Sequence, residues 1–196
     1  MKFKEYIDST GRTWNHQEDE QANLEHAMLG LIDEVGEISS AIKKHVGYNK
    51  ELDLVNIKEE IGDATYFLAR VTACMFNGDQ LDSICTHMDG VADGAPTNSE
   101  TEAIDNCQYI DIIYGIMFPL TRLYSGVVEG KGVEVAQGTV DSFAGLKLIA
   151  LYFDMDIKDC MDANIAKLKE RYADKFTEQE ATVRDLKAEK KVLKKK

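Results

Sequence analysis

Four acidic residues stand out by type and spacing: Glu34 and Glu37 within LGLIDEVGEISSAIKK, and Glu60 and Asp63 within KEEIGDATYFLA. Each pair is spaced i, i+3, which on a helix places both carboxylates on one face. Two such faces turned toward each other gather four carboxylates around a small volume. Charges so crowded repel unless a cation neutralises them, and oxygen donors suit a hard divalent ion. In a chain with 30% charged residues, one such pair would ordinarily be a solvated helix face. Two pairs on consecutive helices at matching offsets favour a metal site.

The elements that must hold these acids are legible in the apolar periodicity. Leu24, Met28, Leu31, Val35, Ile38 and Ile42 recur at helical steps, as do Ile57, Ile61, Ala64, Leu68, Val71 and Met75. Glu34 and Glu37 immediately precede Val35 and Ile38, and Glu60 and Asp63 precede Ile61 and Ala64. Both pairs therefore flank a buried stripe at the same angle. Gly30 and Ala41 extend the first acidic row and would leave room for a ligand beside it. Asn56 followed by Glu59 reads as a capping box that starts the second helix. The connection, about 45–55, is short enough to make the two helices antiparallel neighbours.

With 196 residues and only two prolines, Pro96 and Pro119, the chain reads as an all-α helical bundle. We expect a single domain over 1–177, with an inserted or duplicated helical segment at about 77–154. A charged tail, helical or flexible, follows over 178–196. Gly90 to Ser99 reads as a flexible loop. The opening MKFKEYIDSTGRT is polar, and no apolar run approaches membrane-spanning length, so the expected location is cytoplasmic, with no membrane partner. Cys74, Cys85, Cys107 and Cys160 form no CxxC and read as reduced, buried thiols rather than a zinc site. The net charge of −12 argues against nucleic acid as a partner.

The two acidic segments resemble the MazG-like, all-α nucleoside triphosphate pyrophosphohydrolases, a group that takes in dimeric dUTPases, dCTPases and phosphoribosyl-ATP pyrophosphohydrolases. Family members carry E-E-x-x-E followed by E-x-x-D on the next helix. Asp33 stands at the first position here, and Glu34, Glu37, Glu60 and Asp63 match the metal-binding positions. MDANIAKLKERYADKF is similar to the family's N-I-x-K-L-x-x-R-Y helix, and GRTW is similar to the segment before its first helix. The match covers about 10–76 and 155–176, under half of the chain.

The resemblance implies magnesium, with manganese as a substitute, and hydrolysis of a nucleoside triphosphate to monophosphate and pyrophosphate. It also implies a homodimer or homotetramer. Glu37 or Glu34 would be the base, with Asp33 and Glu59 behind the ligands. Asn164 would contact sugar or phosphate, Lys167 and Arg171 would grip phosphate oxygens, and Tyr172 would assist. Spacing puts Asn164, Lys167 and Arg171 on one helical face, where pairing with acids such as Glu170 is the simpler explanation from periodicity alone. Lys43 and Lys44 close the first helix, where the dipole also favours cations. Trp14 would stack on a base or cap the core, and His16, His26 and Tyr66 are further candidates near it.

Narrower readings are a dUTPase-like, dCTPase-like or alarmone-hydrolysing enzyme; outside enzymes, a non-catalytic helical interaction module. The middle segment can be laid on the first unit, GIMFPLTRLYSGVVEG on GLIDEVGEISSAIKKH, and VDSFAGLKLIALYFDMD on the second acidic helix. In that register Pro119, Arg122 and Gly138 replace Glu34, Glu37 and Glu60, while Asp141 matches Asp63.

Overall fold

The computed structural model describes residues 1–96, 101, 104, 106–172, 175–177, 181 and 186–193, and among them it contains helices and no strand. The helices are α1 (Phe3–Arg12), α2 (Glu20–Tyr48), α3 (Leu54–Met75) and α4 (Gly78–Asp93), then α5 (Tyr109–Glu129), α6 (Gly132–Tyr152), α7 (Ile157–Arg171) and α8 (Leu186–Leu193). None of these is long and apolar enough to cross a membrane. The fold is an all-α bundle, as the periodicity predicts.

Two helical hairpins, α2–α3 and α5–α6, form the body of the bundle, packed together through α3 and α6. The hairpins exchange neighbours: α7, which follows the second hairpin, lies on α3, and α4, which follows the first, lies on α6. α1 wedges against α3 and α4. Its Phe3 meets Phe143 of α6 edge-on, with ring centroids 5.1 Å apart.

Local chemistry sets the helix ends. Asp19 caps α2 by accepting from the Gln21 amide, and Asn49, at φ 50°, closes that helix in the left-handed region. The start of α3 differs from expectation. Asp53, not Asn56, is the cap, and its carboxylate takes the amides of Val55 and Asn56. An aspartate placed one residue before the helix reaches two orphan amides at once, so Asn56 is already in the first turn and the connection shrinks to 49–53. Both stripes are as expected, buried along their length apart from half-buried Leu24 and Met75.

Three further differences carry a reason. The polar-looking start forms α1, because Phe3, Tyr6, Ile7 and Thr10 fall on one face and bury it. Gly90 is helical, since α4 runs on to Asp93 before the chain leaves it; 97–99 lie outside the described residues. All four cysteines are free, with Cys85 and Cys160 buried as expected. Cys74, however, is exposed and Cys107 only half-buried, because Cys74 sits off the buried row in the last turn of α3.

Candidate metal and phosphate site

The α2–α3 seam brings the acids together. Glu34, Glu37 and Glu60 each place a carboxylate oxygen within 4.8 Å of the others. Glu60 is 5% exposed, Glu34 is half-buried and Glu37 faces solvent. Burial, and then the charges of Asp63 and Glu60, push the Glu34 carboxyl up to about 9, with Lys167 partly opposing them. Burial, followed by Asp63 and Glu37, pushes Glu60 up to about 8. Without a cation, burial and mutual repulsion favour the protonated forms of these two groups. Three hard oxygen donors on two rigid helices form a donor set that a hard divalent cation could use.

Asp63 takes a different part. Its carboxylate accepts from Asn164 Nδ2 at 2.5 Å and from Lys167 Nζ, so it is turned toward α7 rather than into the glutamate triad. Lys167 is only 1% exposed, and its ammonium also reaches Glu59 Oε1 at 3.2 Å. Burial alone would lower the Lys167 ammonium; Asp63 and Glu59 outweigh it and raise it. Asn164 Oδ1 in turn accepts from the Tyr6 hydroxyl at 3.0 Å, which ties α1 to the site.

Close helix approach makes this contact possible. A Cβ at Gly62 would lie 2.9 Å from the Cys160 carbonyl and 3.0 Å from Asn164 Cβ, so only glycine lets α7 settle beside Asp63. Gly30 plays a different role from the one its sequence position suggests. The Phe67 ring fills the space beside it, 2.3 Å from where a Cβ would stand, so no ligand room is left there. Tyr6, Gly62 and Phe67 stand at no motif-defining position in the sequence. A glycine in mid-helix next to an acid was the one available signal.

A cavity of about 180 Å³ opens beside the acids, lined by Glu34 and Asp63 on one side and by Trp14, His26, Tyr66, Phe67, Arg171 and Tyr172 on the others. Trp14 is buried and stacks on His26, with centroids 4.5 Å apart and planes at 25°. The Trp14 indole donates to Asn23 Oδ1 at 2.9 Å, and the Arg70 guanidinium lies 5.2 Å from the ring. Trp14 thus belongs to the core and the cavity wall together. Tyr66 is buried and likewise serves both, whereas His16 is exposed.

Arg171 lines the cavity and is gripped by Glu189 of α8, Nε to Oε1 at 3.0 Å and Nη2 to Oε2 at 2.6 Å. Tyr172 is buried, its ring 6.0 Å from that guanidinium. Lys167 and Arg171 do pair with acids, but with Glu59, Asp63 and Glu189 rather than with the adjacent, exposed Glu170. Asp33, Lys43 and Lys44 are exposed. Lys44 lies two turns beyond Glu37, about 10 Å along α2, outside the cluster.

The fold and site thus define an all-α protein with an acidic seam, a buried lysine across from it and an aromatic-walled cavity alongside. No family model matches the chain, and neither a curated protein nor a solved structure does.

Proposed function

We propose that this chain is a magnesium-dependent nucleotide pyrophosphohydrolase, converting a nucleoside triphosphate and water into a monophosphate and pyrophosphate. One observation carries the reading: three carboxylates from two helices meet beside a cavity that also contains Asp63 and a guanidinium, Arg171. An acid cluster alone is commonplace. An acid cluster flanked by buried cations on the same face, next to a ring-walled cavity, matches a polyphosphate ester with its counterion.

Glu34, Glu37 and Glu60 would hold the ion, while Asp63 positions Asn164 and Lys167 beside them. When bound, magnesium supplies charge neutralisation for the phosphates and acidifies coordinated water. Glu37, the solvent-facing acid, takes the proton from the water that attacks the α-phosphorus as the bond to the bridging oxygen breaks. Glu34 also lines the cavity and would be the ligand nearest a bound nucleotide. Arg171, which lines the cavity, would meet the departing pyrophosphate, with Lys167, fixed by Asp63 and Glu59, behind it. Trp14 and Tyr66 form the wall against which a base would lie, and 180 Å³ admits a base without much surplus.

The resemblance to dUTPases and dCTPases narrows the substrate further within this reading, and an alarmone is the alternative. A homodimer or homotetramer would find an apolar face along α5, where Ile110, Tyr114 and Phe118 are 67%, 64% and 64% exposed. That same face is what favours the other class, a helical interaction module. Pyrophosphate release from a panel of canonical and modified nucleoside triphosphates, with magnesium and with chelator, separates them. Turnover that needs the metal is expected; no turnover of any nucleotide together with no metal binding overturns the enzyme.

A further inference from the structure

The two cations on the α7 face are neutralised from different directions. Lys167 is held by Glu59 and Asp63 of α3, within the site itself. Arg171 is held by Glu189, which arrives on α8 from the end of the chain. The two Arg171–Glu189 bonds use Nε and Nη2, the guanidinium edge that binds a phosphate through two oxygens. Glu189 is 3% exposed, and Leu193, one turn on, is buried with it, so α8 is seated on α7 rather than tethered loosely.

We propose that α8 is an autoinhibitory strap, with Glu189 occupying the Arg171 edge until a substrate phosphate displaces it. This rests on the nucleotide reading above. A guanidinium N–H cannot be given to a carboxylate and to a phosphate at the same time, so phosphate binding through Nε and Nη2 must exchange one anion for the other. The apparent affinity for substrate is then reduced by the fraction of molecules in which Arg171 is closed.

The composition of the segment fits such an exchange. From Leu186 to Lys196 the one acid is Glu189, amid six lysines at 187, 190, 191 and 194–196. The single negative side chain of a cationic stretch is the one buried against the arginine. Once Glu189 leaves, what remains is a strongly basic segment, which a polyphosphate attracts rather than repels.

The test uses the full chain carrying Glu189→Gln, which keeps the shape and removes the charge. Leu193→Ala, which loosens the same helix at a different point, serves as a second variant. We expect the KM for the best nucleotide to fall about tenfold in Glu189→Gln, with kcat within about twofold of the parent. Affinity for inorganic pyrophosphate with magnesium, measured by calorimetry, should rise to a similar degree. Leu193→Ala should move both quantities the same way. Unchanged values overturn the strap, and so does a higher KM with weaker pyrophosphate binding, which would make Glu189 a positioning residue that holds Arg171 ready. The two readings fail separately. Stronger pyrophosphate binding in a protein that turns over no nucleotide keeps the strap and ends the hydrolase, whereas turnover without the gain ends only the strap.

Discussion

The two hairpins solve one packing problem in opposite ways. In α5–α6 the seam is closed by backbone: a Cβ at Gly138 would stand 2.7 Å from Leu123 Cα, and one at Gly145 would stand 2.8 Å from the Gly115 carbonyl. In α2–α3 the corresponding seam holds carboxylates instead. In the register that lays one hairpin on the other, Gly138 occupies the place of Glu60 and Arg122 that of Glu37. Arg122 supplies its own positive charge, reaching Glu134 at 2.7 Å and Asp141 at 3.5 Å. The acids of α2–α3 have no cation of their own hairpin among the described partners, and Lys167 must come from α7. A seam closed by glycines is structurally complete. A seam lined by acids, with two carboxyls pushed far above their usual range, resists full ionisation unless a positive charge enters.

The largest expected effect lies on the acidic seam. Glu37→Gln should lower turnover by about a thousandfold while leaving the helical circular-dichroism signal unchanged. Full activity in that variant would remove Glu37 from the site. Next come the two glycines that let helices touch. Gly138→Ala forces a methyl into Leu123 and should cost about 2 kcal/mol, read as a fall of about 6 °C in melting temperature with activity retained. Gly62→Ala should cost a similar amount but also lose metal-dependent turnover, because Asn164 and Lys167 ride on the helix it pushes away. Equal activity in the two variants would erase the functional distinction between the hairpins.

How much of this was legible in the sequence follows from what kind of interaction each part uses. The acidic pairs and both apolar stripes are local and periodic, so Glu34, Glu37 and Glu60 could be placed on facing helices before any coordinates. The departure of Asp63 toward α7 could not, since it depends on a partner more than a hundred residues away and on the glycine beside it. Tyr6 was hidden for the same reason: its hydroxyl matters only once α1 is laid against α3 and α7. The tail, expected to be helical or flexible, is helical over Leu186–Leu193, and its docking was the hidden part. Its lysines suggest a solvated end, whereas one buried acid among them fixes α8 to Arg171. Gly30 shows the limit of reading space from a small residue, because a neighbour's ring, Phe67, claimed the space.

The acidic seam also makes a pH prediction that the glycine seam does not. Glu34 and Glu60 have folded-state values raised to about 9 and about 8, above the ordinary carboxyl range they regain on unfolding. The folded protein therefore binds more protons than the unfolded chain between about pH 4.5 and pH 9, and stability falls as pH rises through that window. With chelator present, the melting temperature should drop by at least about 5 °C between pH 5 and pH 9. Magnesium should flatten the slope, because the ion replaces the protons. A chelated protein as stable at pH 9 as at pH 5 would mean that the seam is relaxed and wet rather than charged and waiting.

The smallest effect belongs to the internal cation of the other hairpin, and its smallness is informative. Arg122→Ala leaves Glu134 and Asp141 without their arginine, superficially the same uncompensated state as the metal-free acids. Yet all three side chains are 40–43% exposed, where water screens them, while Glu60 is 5% exposed. The loss should stay below about 1 kcal/mol, a shift of no more than about 3 °C, and turnover should not change. Burial, more than the count of negative charges, is then what makes one seam a site and the other a surface. A large loss from Arg122→Ala would reverse that order, and would mean that the second hairpin holds its acids under the same strain as the first.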